Sequence, residues 1–379
     1  MIALWQISEF RGLSAPTGRP LIFTMAPTPY RAPRPPGILN RIPTSWDGNP
    51  TIIFTSPVAG DQSLVISAAT LKMPPVRVEI CIAGIFPDPS DRIEYFWKAQ
   101  VVFNSSVCPH GTGKSGSTHS THTEMLSGSS RGGSFILNFN EVSGGELVLQ
   151  VDATVGGRHI YGKLSGIRIG GENPSPDQIR PRLSRPILGH IIRQESSLQQ
   201  FIPAPNADGC MYPQFSQDNL LGVGLGQITK PASKDIELWN WQENIKAIER
   251  KFKDALGAAS RYPQHCRDSA NFKRLCKELN EKRILKKLGS ISVIVPSFSD
   301  DQLERNAVRC YNGAGGTDNL GQGFLHEYQI ALDDAGGLLV DVPPKSTEAR
   351  TSWEVVPESD RITAGDRGYV RNVYAQPPL

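Results

Sequence analysis

The chain of 379 residues has no apolar run approaching the ~18 residues of a membrane-spanning helix, which argues against a transmembrane segment. It has no C-x-x-C pair, which argues against a zinc ribbon or a thioredoxin-type redox motif. It shows no internal repeat. Its net charge is only +3, a weak electrostatic footprint that does not suggest a nucleic-acid binder. The N-terminus, MIALWQISEFRGLS, starts apolar but carries Glu9 and lacks a basic n-region, so it does not read as a Sec signal peptide. Work outside the cytoplasm would then require another carrier.

A chain of this length favours two domains over one. Hydrophobic content of 39% and charged content of 20% are ordinary for globular protein. The six cysteines split between the halves, with Cys81 and Cys108 in the first and Cys210, Cys266, Cys276 and Cys310 in the second. Even numbers in each half permit disulfides without a cross-domain bond, and six reduced thiols are equally compatible.

Residues 1–50 are rich in Pro, Arg and Gly and read as an extended arm. From Thr51 short β-prone runs follow, among them TIIFT, VRVEICIAG and ELVLQVDATV, separated by Gly, Pro, Ser and Asp. They predict an immunoglobulin-like antiparallel β-sandwich over 51–172, with Gly156-Gly157 as a hairpin turn and 104–133 as a long polar loop. A linker spans 173–185, in which Ser175 and Pro176 can open a short helix. The pattern then becomes helical. Helices are expected over 186–200, 235–256, 268–288, 300–311 and 322–332, in a mainly α-helical domain covering 186–379 with an irregular tail.

Within the first of these helices, Ile187, Leu188, Ile191 and Ile192 form an apolar stripe with Leu198 beyond them. Glu195 lies four residues after Ile191 and three after Ile192, which places its carboxylate on the inward face. A carboxyl in that position is either half of a buried ion pair or a group held protonated to act as general acid. Three segments follow it: Gly224-Leu225-Gly226-Gln227, where glycines allow close backbone approach; Asn244-Ile245 on the next helix; and Tyr311-Asn312-Gly313 at a helix end.

Together with Glu195-Ser196, these segments resemble, in the same order, the soluble lytic transglycosylase family with its goose-lysozyme-like fold. The resemblance covers about residues 186–332. It extends to a subgroup in which a β-sandwich precedes the domain and a W-x-x-V-P…G-D-x-x-Y-V tail follows, here Trp353 to Pro357 and Gly365 to Val370. Gly226 departs from the family's usual Met, Cys310 stands where Ala is common, and the stretch Pro203–Pro213 is longer than in compact members.

The resemblance implies a peptidoglycan-cleaving enzyme that needs no cofactor or metal. Glu195 would protonate the glycosidic oxygen between N-acetylmuramic acid and N-acetylglucosamine. As carboxylate it would then take the proton of the muramic 6-hydroxyl, leaving a 1,6-anhydro end. Tyr311 would stabilise charge near the acid, Gln227 and Asn312 would orient the acetamido groups, and Ser196 would support Glu195 or its surroundings. Two alternatives stay open. A hydrolytic muramidase needs a second carboxylate, for which Asp208, Asp218, Asp235, Asp318 and Glu327 are available. A phage-tail or surface module would bind glycan without cutting it.

The expected partners are peptidoglycan glycan strands, with an immunity protein and a secretion-apparatus component if the chain is a bacteriolytic effector acting in the periplasm. Other patterns carry less. His110-Gly111-Thr112-Gly113-Lys114-Ser115 is an incomplete P-loop with Cys108 at the first Gly position, and His326-Glu327 lacks the final His of H-E-x-x-H. Cys108, His110, His119 and His122 could ligate a metal, but no neighbouring pattern fixes their geometry.

Overall fold

A computed structural model describes residues 50–57, 63–84, 92–205, 209–314, 326–343, 346–361 and 366–379. The N-terminal arm therefore lies outside the described residues, as do Asp208, Asp318 and Gly365. The described residues belong to one compact unit.

Two sheets form the first half. Strands β1 (Thr51–Ser56), β3 (Val76–Ala83) and β7 (Ser134–Leu137) make a three-stranded antiparallel sheet. The larger sheet runs β2 (Ser63–Ile66), β9 (Arg158–Gly171), β8 (Gly145–Val155), β4 (Glu94–Asn104), β5 (Ser120–His122), and β6 (Leu126–Arg131) also pairs with β4. Period-2 patterning sets the faces: along β8, Leu147, Leu149, Val151 and Ala153 are buried while Glu146 and Thr154 are exposed. Gly156 and Gly157 both take positive φ, 56° and 78°, and close the β8–β9 hairpin with Val155 opposite Arg158. The expected polar loop over 104–133 contains β5 and β6, because the 11-residue β4 offers edge hydrogen bonds along its full length.

The second half departs from the expected fold class. The molecule is mixed, with about 33% helix and 32% strand in several small sheets, and is not an immunoglobulin-like sandwich followed by a mainly α-helical lysozyme-like domain. Two observations overturn that expectation. Strand β2 joins β9 in parallel, so the larger sheet is not purely antiparallel. Beyond α1 (Pro176–Ile179) and α2 (Pro186–Ser196), helices alternate with short strand pairs. These pairs are β10 (Phe201–Pro203) with β11 (Met211–Pro213), and three strands built from β12 (Ser292–Ile294), β15 (Glu348–Thr351) and β14 (Val340–Asp341). The stretch expected as a last helix gives β13 (Tyr328–Ile330), paired with β16 (Trp353–Val355). Strands of two to four residues are too short to establish a period, so partners elsewhere along the chain decide their state.

Four further helices fall within or overlap the stretches of expected helix, and a fifth, α7 (Tyr369–Tyr374), forms in the stretch expected as an irregular tail. The four are α3 (Asp235–Trp239), α4 (Trp241–Asp268), α5 (Ala270–Leu285) and α6 (Asp300–Arg309). Asn240 caps α4 by accepting from the Gln242 and Glu243 amides, and Ser299 with Gln302 forms a capping box on α6. None of the helices among the described residues is long and apolar enough to cross a membrane.

Trp239 ties the halves together. It is fully buried, with its ring 5.0 Å from Phe103 of β4, 5.9 Å from Phe201 and 6.0 Å from Tyr212. Gly144 makes room for it: a Cβ there would lie 2.2 Å from the indole.

Candidate active site

Helix α2 begins with Pro186, whose missing N–H costs nothing at a first helical position, and ends at Ser197 in the left-handed region. Ile187, Leu188, Ile191 and Ile192 are all buried. Glu195 sits on the last turn beside this stripe, partly buried. Its Oε1 accepts a hydrogen bond from the Tyr369 hydroxyl. Burial raises the Glu195 carboxyl above its usual range, the Tyr369 bond and the positive charge of Lys251 draw it back down, and the negative charge of Asp218 adds to the rise.

Tyr369 opens α7 in the chain's last stretch, and Asp366 fixes that placement. Its carboxylate accepts from the Gly368 amide at 2.8 Å and from Asn372 at 2.7 Å. Its carbonyl accepts from Arg309 Nη1 at 2.7 Å and Asn312 Nδ2 at 3.3 Å. Buried Arg361 adds a clamp, donating to the Val356 carbonyl at 3.1 Å and to Glu327 Oε1 at 3.0 Å. The segment from Asp366 to Val370 thus pins Tyr369 against the acid. The sequence contained this segment without revealing that its tyrosine reaches Glu195.

Tyr311 lies on the π-helical turn Cys310–Ala314 that continues α6 and is fully buried. Its hydroxyl donates to the Gly226 carbonyl at 3.0 Å, so the contact to Glu195 belongs to Tyr369 instead. Lys251 of α4 places Nζ 4.1 Å from the Tyr311 ring centroid. Burial lowers the Lys251 ammonium and the Glu195 charge opposes that, so Tyr311, Lys251 and Glu195 form one electrostatic cluster. Nothing in the Lys251 sequence context separates it from the surrounding basic helical face.

The Gly224–Gly226 turn is held from three sides. Fully buried Asn244 accepts from the Gly226 amide at 3.2 Å and donates to the Val223 carbonyl at 3.2 Å. Gln200, also fully buried, accepts from the Leu225 amide at 3.1 Å and donates to the Glu237 and Leu238 carbonyls at 3.0 and 2.9 Å. A Cβ on Gly226 would lie 2.3 Å from Ile248 Cγ1 and 2.9 Å from the Tyr311 oxygen. Gly226 is thus the residue that lets Tyr311 approach.

The other expected site residues are engaged within the protein. Gln227 takes φ 45° and donates to the Gly224 carbonyl at 2.7 Å. Ser196 donates back to the Ile192 carbonyl of its own helix at 3.1 Å. Asn312 holds the Asp366 carbonyl. Among the described candidates for a second carboxylate, Glu327 is paired with Arg361, while Asp218 is exposed and held by Ser216 Oγ at 2.6 Å and the Leu220 amide at 3.0 Å.

Two cavities differ in their relation to this arrangement. One, of about 920 Å³, lies at the edge of the larger sheet beside Asn104, Glu146, Arg168 and Tyr212 and touches none of the residues around Glu195. The other, of about 580 Å³, is bounded by Tyr311 and Lys251. His119, one of the candidate metal ligands, stacks on Phe215 with ring centroids 6.0 Å apart. Comparison with family models, with curated proteins and with solved structures gives no match, so any functional reading rests on these residues and their geometry.

Proposed function

We propose that the chain cleaves the β-1,4 bond between N-acetylmuramic acid and N-acetylglucosamine in peptidoglycan, with Glu195 as single acid and then base, leaving 1,6-anhydro ends. The observation that carries this reading is the setting of Glu195: a carboxyl raised by burial yet bonded to the Tyr369 hydroxyl and facing the Lys251 charge. Desolvation keeps the proton available for the leaving oxygen, and Tyr369 with Lys251 steadies the carboxylate that results. That carboxylate then takes the proton from the muramic 6-hydroxyl as it closes on C1. The site acts on the cell wall, and delivery to the periplasm as a bacteriolytic effector, with an immunity protein guarding the producer, completes the proposal. Production of the chain with and without an added periplasmic export signal tests this placement: lysis is expected only on export.

Asp218 favours a second reading. Its charge acts on Glu195, so it is the candidate second acid of a hydrolase that activates water. Mass analysis of soluble products from purified sacculi separates the two. Anhydro ends, one water lighter, support the transglycosylase. Reducing ends that vanish in Asp218→Asn support hydrolysis. No release by wild-type protein overturns both.

A further inference from the structure

Leu285 and Ile284, at the end of α5, are 84% and 61% exposed, the two highest values for large apolar side chains among the described residues. Leu288, just past the helix, is exposed as well. Core packing does not account for them. Helix α5 packs inward through Phe272, Leu275 and Leu279. At ~100° per residue, Ile284 lies about 140° around the helix from Leu279 and Leu285 about 120° the other way, so both point outward. Lys282, Arg283, Lys286 and Lys287 are interleaved with these apolar residues. The nearby acids Glu278 and Glu281 are taken by Arg274 and Lys277, and Lys282, Lys286 and Lys287 form no ion pair among the described residues. The tip is a built turn. Lys287 takes φ 59°, and the Leu288 amide donates back to the Arg283 carbonyl at 2.9 Å. Arg283 Nε donates to the Gly289 carbonyl at 3.0 Å, and Asn280 exchanges two hydrogen bonds with the Ile291 backbone at 2.8 and 3.1 Å.

We propose that this tip binds the surface of an anionic phospholipid bilayer. Ile284, Leu285 and Leu288 enter the boundary between headgroups and acyl chains, and the lysine ammonium groups meet the lipid phosphates. The inference goes beyond the cleavage reading and stands without it. Charge complementarity and apolar exposure at one point select this occupant. A soluble polyanion would satisfy the lysines and leave the three aliphatic side chains in water. A protein groove that receives a helix reads apolar anchors over two turns or more. On the outward face of α5 the preceding turn holds Asn280 and Glu281, with Lys277 and Glu278 before them, so the apolar surface is a single turn at the helix end. Flexible four-carbon stems let the lysines reach the headgroups while the leucines sit deeper. The apolar tip and the basic cluster together supply the two attractions that reversible surface binding needs.

The test is flotation of the full chain with two kinds of unilamellar vesicle: phosphatidylcholine alone, and phosphatidylcholine with phosphatidylglycerol in equal parts. Partitioning should be about tenfold stronger on the anionic vesicles and should weaken as salt is added. Two double variants separate the contributions. Leu285→Ser/Leu288→Ser and Lys282→Glu/Lys286→Glu should each lower partitioning on anionic vesicles by about tenfold. All four side chains are exposed, so melting temperatures equal to that of wild type are expected and report that both variants fold. Wild-type protein that stays off the anionic vesicles, or that partitions equally on the two compositions, overturns the proposal. A serine variant that binds as tightly as wild type also overturns it, because the tip would then be a site for any polyanion and not for a bilayer.

Discussion

The Tyr369 hydroxyl donates to Glu195 Oε1 across 174 positions of sequence. The chain's penultimate turn of helix therefore completes the surroundings of an acid placed near its middle. Burial and hydrogen bonding act on that carboxyl in opposite directions, and the pH behaviour follows from their balance.

In the proposed cleavage protonated Glu195 is the form needed for the first step, so kcat/KM should fall on the alkaline side with an apparent pKa above the usual 4.5. The Tyr369 bond stabilises the carboxylate. Tyr369→Phe removes it, raises the Glu195 pKa further and moves the alkaline limb to higher pH. A pH–rate profile of the two proteins checks the sign, and a shift to lower pH contradicts the arrangement.

Glu195→Gln should lower peptidoglycan cleavage by roughly 10²–10⁴-fold while the protein stays folded. Stability moves with pH in a defined direction. A carboxyl whose folded pKa is raised stabilises the fold below about 4.5, its unfolded value, and loses that contribution as pH rises through the folded value. Thermal melts of wild type and Glu195→Gln should therefore diverge in the variant's favour as pH increases above 4.5.

Gly226→Ala places a methyl 2.3 Å from Ile248 Cγ1 and 2.9 Å from the Tyr311 oxygen. The expected cost is about 1–3 kcal/mol, with Tyr311 displaced from the Gly226 carbonyl. Denaturant unfolding measures the first effect, and cleavage normalised to folded protein the second.

Asn244→Leu strands the Gly226 amide and the Val223 carbonyl in a dry interior, at roughly 1–3 kcal/mol for each group. A drop in denaturation midpoint with an unchanged slope is the expected result.

Burial pushes the Cys108 and Cys310 thiols up to about 12. At pH 8 only about one in 10⁴ would be thiolate. Alkylation followed by peptide mass analysis should label the partly exposed Cys81, Cys266 and Cys276 first, and reach the buried Cys108, Cys210 and Cys310 only on unfolding.

The sequence made the acid legible through a simple conflict: a carboxyl at helical spacing from Ile191 and Ile192. It also pointed to Tyr311 and the glycine turn, whose side-chain types are unusual enough to stand out. Tyr369 and Lys251 were not legible in that way, because their roles come from contacts between distant elements and not from local pattern. Lys251 reads as one more basic residue on a solvated helix until Tyr311 is placed under it. The fold class failed for a related reason. Ser292–Ile294 and Tyr328–Ile330 are strands only because Glu348–Thr351 and Trp353–Val355 come back to pair with them.

Trp239 carries a consequence for how such a chain can be assembled. Its indole is seated among Phe103, Phe201 and Tyr212, and Gly144 clears the space. A recombination joint placed near residue 185 would hand that indole a foreign socket. Any donor of a new front half would have to bring a small residue where Gly144 stands and an aromatic edge where Phe103 stands. The acid-bearing half is therefore not an interchangeable cartridge, and grafting it onto another carrier calls for rebuilding the tryptophan's seat first.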